Sequence, residues 1–144
     1  MFRTLDARFF AAPQIALDDV ARAREAGIVH IVNNRPDGED PSAPQGAEIE
    51  AAARAAGLGY SYIPVTHSGF SAAQLDAFDA AVREAGGPVL GYCRSGTRST
   101  LLWALARARA GDAVDEVAHK AGAAGYDVAP VRAMMDALHG QASR

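Results

Sequence analysis

The chain has 144 residues, 49% of them hydrophobic and 22% charged, the balance of one soluble globular domain large enough for a core flanked by helices. A net charge of −3, with no basic stretch interleaved with aromatics, argues against a nucleic-acid partner, and a single cysteine excludes an intramolecular disulfide and favours a reducing compartment. The N-terminus lacks a secretory apolar region and no run reaches transmembrane length, so the expectation is a cytoplasmic protein with no membrane partner.

In chain order, two short extended pieces at 3–5 and 9–11 form a hairpin or edge strands. Asp18 caps a helix over 18–26 that buries Leu17, Val20 and Ala21 and stops at Gly27. The β-branched run Ile28-Val29-His30-Ile31-Val32 is a buried strand. A polar loop over 33–42 leads to a helix starting at Pro44, with Ile49, Ala52, Ala53 and Ala56 on one face and Gly57 and Gly59 at its end. Residues 60–65 are the next strand. Ser71 and Gln74 make a capping box for a helix presenting Leu75, Phe78 and Val82, which Gly86-Gly87-Pro88 breaks. Pro88 to Tyr92 is a buried strand, and beyond it an amphipathic helix begins near Arg98 and runs to about Arg109. Leu101, Leu102, Leu105 and Ala106 line its core face, Trp103 packs, and Arg107 and Arg109 form a solvated stripe. Two further helices cover 112–121, capped by Asp112, and 130–138, striped by Val131, Met134, Met135 and Leu138, with the methionine pair filling core. His30, His119 and His139 are structural or exposed and not spaced as ligands, so neither a metal nor a cofactor is expected.

Strands alternating with helices define an α/β fold: a single domain over 1–144 with a mostly parallel sheet of four to five strands flanked by helices. Ligand sites in such sheets lie beyond the carboxyl ends of the strands. The loops at 33–42, 66–70 and after Tyr92 therefore surround one crevice.

The loop after Tyr92 carries the chemistry. Cys93-Arg94-Ser95-Gly96-Thr97-Arg98-Ser99 joins a buried strand to a helix, which points successive backbone N–H groups and the positive end of a helix dipole at one spot. An unperturbed thiol ionises near ~8.5. Helix N-termini and neighbouring cations lower such values to roughly 3.5–7.5, and a shift of about two units is worth ~2.7 kcal/mol in favour of the thiolate. Arg94 and Arg98 supply the cations, Gly96 permits close backbone approach, and Ser99 is placed to hydrogen-bond the sulfur. Cys93 is thus read as a nucleophile in an anion-binding loop formed by Arg94, Ser95, Gly96 and Thr97, with Arg98 as the anion clamp.

Cysteine-dependent phosphatases use Cys-x5-Arg, one residue longer than the Cys-x4-Arg found here, whereas sulfurtransferases of the rhodanese type carry a loop of the present length, often like Cys-Arg-Ser-Gly-x-Arg. More of the chain speaks to one family. Gln14-Ile15, the run from Asn33 to Asp40, Ile63-Pro64-Val65 and Tyr92 to Ser99 resemble, in order, the phosphatase-like domain of beta-lactamase-hydrolase-like proteins. That resemblance implies a dual-specificity-phosphatase-like fold, phosphatase or sulfur-transferase activity, and association with a persulfide dioxygenase in related proteins. Two departures from the phosphatase pattern stand out. Tyr92 occupies the position usually held by histidine before the nucleophile, and the loop Thr66-His67-Ser68-Gly69-Phe70 lacks the usual aspartate acid. Losing a general acid costs roughly 10²–10⁴ in rate when an alkoxide must leave.

The expectation is therefore a rhodanese-like sulfurtransferase that moves a sulfane sulfur from thiosulfate or a persulfide to a thiol, sulfite or cyanide through a Cys93 persulfide. Ser99 would steady the thiolate. The alternative is a cysteine-dependent phosphatase working through a phosphocysteine, with His67 or Asp37 as acid; Asp40 is a further candidate and Arg35 a third cation. The second alternative is a non-catalytic anion- or persulfide-binding partner protein.

Overall fold

The apolar runs pair into a five-stranded sheet in the computed structural model of the protein, which describes residues 2–142. Its strands are β1 (Arg3–Thr4), β2 (Phe9–Ala12), β3 (His30–Asn33), β4 (Gly59–Tyr62) and β5 (Val89–Tyr92), in the spatial order β1-β2-β5-β3-β4. β1 runs antiparallel to β2, and every other pairing is parallel. The helices are α1 (Leu17–Glu25), α2 (Gly46–Ala55), α3 (Ala72–Ala85), α4 (Thr97–Arg109), α5 (Val114–Ala123) and α6 (Arg132–Ala142), with a single 3₁₀ turn at Ala129–Val131.

Successive side chains of a strand face opposite ways, so β5 divides its residues between two cores. Leu90 and Tyr92 pack with Ile15, Val20, Ile31 and Ile49 under α1 and α2. Val89 packs on the other side with Phe9, Phe78, Leu102, Trp103 and Met135, where α3 to α6 gather. Gly91 also faces that side. A side chain there would strike the ring of Phe9 and crowd Ser99, so the missing Cβ lets α4 lie close against the sheet. The result is an α/β sandwich, and the loop that carries Cys93 leaves its central strand.

Several local expectations are corrected. α1 starts one residue before the proposed cap: Asp18 is exposed in its first turn, and Asp19, not Asp18, accepts the Ala16 N–H at 2.8 Å. Leu17 is 45% exposed and Ala21 is exposed too, while Ala23 is buried, because the start of the helix is rotated from the assumed register. Asp112 does not cap α5. Its carboxylate takes two hydrogen bonds from Arg107, and Ala113 is the capping residue. Met135 is fully buried but Met134 is 41% exposed, since only one of two adjacent helical positions can face α4. α4 is not amphipathic: Ser99 to Ala106 and Ala108 are all buried, because the helix is enclosed by the sheet, α3, α5 and α6. Arg109 is not simply solvated either, since it reaches Asp76 and Asp79 of α3 at 2.9 and 2.7 Å. The capping box at Ser71 and Gln74 forms as read. Among the described residues, no helix is long and apolar enough to cross a membrane.

Candidate active site

The loops that follow β3, β4 and β5 converge on one cavity of about 1010 Å³, as the parallel reading required. Arg35 to Asp40 form one wall, Val65, Thr66, His67 and Phe70 another, and Arg94, Ser95, Thr97, Arg98 and Leu101 the floor. Cys93 lies just below that floor with no exposed surface.

The backbone of the cysteine loop is tied outward at the Arg94 and Gly96 carbonyls. The Arg94 carbonyl accepts from Gln14 N–H at 3.2 Å, and the Gly96 carbonyl accepts from Thr100 N–H at 3.0 Å and from its hydroxyl at 2.8 Å. In a trans peptide the N–H points opposite to the C=O, so carbonyls held outward turn the following amides inward. The Gly96 amide meets the thiol directly, donating to Cys93 Sγ at 3.1 Å. Gly96 makes this turn with φ of +92°, a conformation that residues with a side chain rarely adopt.

Arg98 is oriented by a residue that the sequence reading had assigned no role. Its Nη1 and Nη2 donate to the two carboxylate oxygens of Glu39 at 2.9 and 2.6 Å, and Nη1 also donates to the Val65 carbonyl at 2.9 Å. A guanidinium has five N–H groups. These contacts use three of them, the end-on pair on Glu39 and the second Nη1–H on Val65, and leave Nε–H and one Nη2–H, the side-on edge, for a planar or tetrahedral oxyanion. The Glu39 hydrogen bond, the largest cause, holds Arg98 firmly protonated, and the neighbouring Cys93 sulfur adds to that effect. Reciprocally, Arg98 brings the Glu39 carboxyl down to about 2, with Arg35 contributing. Arg35 donates to Glu39 at 2.9 Å and to Gln14 Oε1 at 3.0 Å, and so buttresses the same carboxylate.

Ser99 is buried beside the loop, but its hydroxyl donates to Asn34 Oδ1 at 2.7 Å, so its single proton is committed away from the sulfur. Ser95 and Thr97 bond each other at 2.9 Å on the cavity floor. Arg94 lines the cavity and is exposed. Asp37 Oδ1 accepts the Gly46 N–H at 2.8 Å and so caps α2. Asp40 accepts from the Ser42 amide and hydroxyl, which lowers its carboxyl below the ordinary value. His67 stands exposed on the cavity wall. Tyr92 points to the opposite face from Cys93, into the core under α1 and α2; its hydroxyl is buried and, among the described residues, has no hydrogen-bond partner, and burial raises its phenol well above the usual range.

Sequence reasoning missed Glu39 and Asn34 as working parts. Both stood within the quoted loop motif, and the Arg35/Glu39 spacing was an available sign of an ion pair. Asn34 is fully buried, donates to the Ile63 carbonyl at 2.8 Å and receives Ser99, so it joins the segment just after β4 to the start of α4.

A thiol at the end of a central parallel strand, an amide-lined loop opening a helix, and an arginine braced by a carboxylate define the phosphatase-like class of α/β domains. The chain belongs to the family described as "Beta-lactamase hydrolase-like protein, phosphatase-like domain", whose model matches residues 1–110. It is 36% identical over 128 residues to the beta-lactamase hydrolase-like protein of Xylella fastidiosa, covering 86% of this chain but 29% of that protein's length. A phosphatase candidate from Neisseria meningitidis Z2491 shares 36% identity and superposes with a TM-score of 0.84, covering 95% of this chain and 97% of that one. The protein PTPMT1 has the same fold at 11% identity, with a TM-score of 0.71 over 99% of each chain.

Proposed function

We propose that this domain is a cysteine-dependent phosphatase that hydrolyses a phosphoric monoester through a phosphocysteine. One observation carries the reading: Glu39 occupies the end-on edge of Arg98, so the side-on edge is not taken by a carboxylate, and Arg98 stands beside a sulfur that already receives the Gly96 amide. A phosphoryl group seated there would receive two parallel N–H bonds from Arg98 while inward amides of the loop hold its remaining charge. In the first half-reaction Cys93 Sγ attacks phosphorus, the P–O ester bond breaks, and the alcohol departs with a proton. Water then attacks phosphorus, the S–P bond breaks, and phosphate leaves with the thiolate restored.

The proton for the leaving group is best supplied by His67. Glu39 and Asp40 are both held as carboxylates and cannot donate near neutral pH, and Asp37 is engaged with α2. His67 is the remaining proton-carrying candidate on the cavity wall. The family assignment and the fold likeness to phosphatases support this reading over the sulfurtransferase expected from loop length.

Sulfur transfer is kept as the second reading because two features favour it: the four-residue spacing from Cys93 to Arg98, and the lack of a carboxylate in the 66–70 loop. There the thiolate would attack the outer sulfur of thiosulfate, the S–S bond would break, and sulfite would leave a Cys93 persulfide for a thiol or cyanide to discharge. One side-by-side experiment decides. With an aryl phosphate, turnover that disappears in Cys93→Ser supports the phosphatase. A one-sulfur mass increase after thiosulfate treatment, with thiocyanate formed on adding cyanide and no aryl phosphate turnover, replaces it with sulfur transfer. Inertness to both leaves the anion-binding role and overturns the enzymatic reading.

A further inference from the structure

The peptide between Ser95 and Gly96 has two ends with different tasks. Its N–H is the group that donates to Cys93 Sγ at 3.1 Å, and its C=O accepts a hydrogen bond from the hydroxyl of Tyr126 at 3.2 Å. No cis peptide bond occurs among the described residues, so the two groups point in opposite directions from one rigid plane. Whatever holds the carbonyl outward holds the amide on the sulfur. The Arg94 carbonyl is anchored by the Gln14 backbone amide and the Gly96 carbonyl by the amide and hydroxyl of Thr100, whereas the Ser95 carbonyl is held by the Tyr126 side chain.

Tyr126 is itself fixed. It is 8% exposed, lies in the α3–α6 core with Val128 and Val131, and carries the guanidinium of Arg3 over its ring at 5.2 Å. Arg3 is anchored in turn to the Ala124 carbonyl at 3.1 Å. The ring tip fills the space that a side chain at Gly96 would need, so the glycine and the tyrosine fit as a pair. Tyr126 lies beyond residue 110, outside the segment that matches the family model.

We infer that Tyr126 is the positioning residue of the anion loop: by holding the Ser95 carbonyl it locks the Ser95–Gly96 peptide with its amide on the Cys93 sulfur. Without that hydroxyl the peptide is free to rotate, and rotation would turn a carbonyl oxygen, which repels a sulfur anion, toward the thiol. The inference rests on the nucleophile reading of Cys93 but not on which reaction it performs, because a thiolate needs the same amide in either.

The test is Tyr126→Phe, which keeps the ring and removes the hydroxyl. Alkylation of Cys93 by iodoacetamide, followed by mass spectrometry across pH 5 to 10, is expected to slow about three- to tenfold near pH 7, with the two profiles converging at alkaline pH. Aryl phosphate or thiosulfate turnover, whichever the protein shows, should fall by a similar factor with KM little changed and the melting temperature close to that of the parent. An unchanged alkylation profile in a folded variant overturns the inference. A shifted profile in a protein that turns over neither substrate upholds it and removes the enzymatic reading instead. Should the variant not fold, the parent protein answers by NMR: the Gly96 amide proton and the Tyr126 ring signals must move together as Cys93 titrates, and independence of the two overturns the coupling.

Discussion

Glu39 gives the site its direction. A carboxylate that grips one edge of Arg98 prevents the guanidinium from turning, and a clamp misplaced by about 1 Å can cost on the order of 10²-fold in rate. Glu39→Gln should therefore lower turnover about ten- to hundredfold while Cys93 is still alkylated, and paired turnover and alkylation assays would check both halves. The pH sign follows from its lowered carboxyl: the ion pair is complete above the ordinary value of 4.5 and is lost only as pH falls toward about 2. Activity between pH 5 and 9 should then carry no limb from Glu39. His30 behaves oppositely in consequence. It is buried with its Nε2 2.8 Å from Ser61 Oγ, and desolvation by burial, the largest cause, lowers its pKa below 6.5. The unfolded chain binds that proton more readily, so stability is intact above 6.5 and declines as pH falls below it, at most by about 1.4 kcal/mol per pH unit. Thermal melts from pH 8 to 5 should show this slope in the parent protein and a flatter one in His30→Asn.

At the scale of elements, α4 does two jobs: it offers its N-terminus to the thiol and fills the centre of the larger core. Trp103 is 1% exposed and donates to Asp6 Oδ2 at 2.9 Å, which ties the helix to the turn between β1 and β2. Trp103→Ala should cost about 3–5 kcal/mol, read as a lower denaturation midpoint at unchanged slope. How much of this was legible in the sequence depends on the range of the interaction concerned. The strand ending at Tyr92, the turn at Gly96 and the helix behind it were readable because local pattern specifies them. The burial of α4 on nearly all sides was not, since alanines at 104, 106 and 108 look neutral until α3, α5 and α6 close around them. Arg98's partner was hidden for the same reason: Glu39 lies 59 residues away in sequence, and only the sheet order brings it there. Asp112 illustrates a different limit, because a residue suited to a helix cap was taken by a nearby arginine first.

On the scale of the whole molecule, β5 is paired on both sides, by β2 and by β3, whereas β1 is a two-residue edge strand. Native-state hydrogen exchange should find the amides of β5 and α4 among the slowest, opening only with global unfolding, and those of β1 among the fastest. The opposite order, with β5 exchanging early, would contradict the described pairing.

The central place of β5 has a consequence for the life of the chain before it is complete. Residues 9–12, 30–33 and 89–92 must all meet before the sheet has a middle, and Cys93 acquires its surroundings only when α4 has docked across them. A nascent chain halted before α4 has left the ribosome would carry the cysteine without Arg98 or the helix end that stands beside it. The meeting of Cys93 with Arg98 and the start of α4 thus marks the point at which the middle of the sheet has been covered.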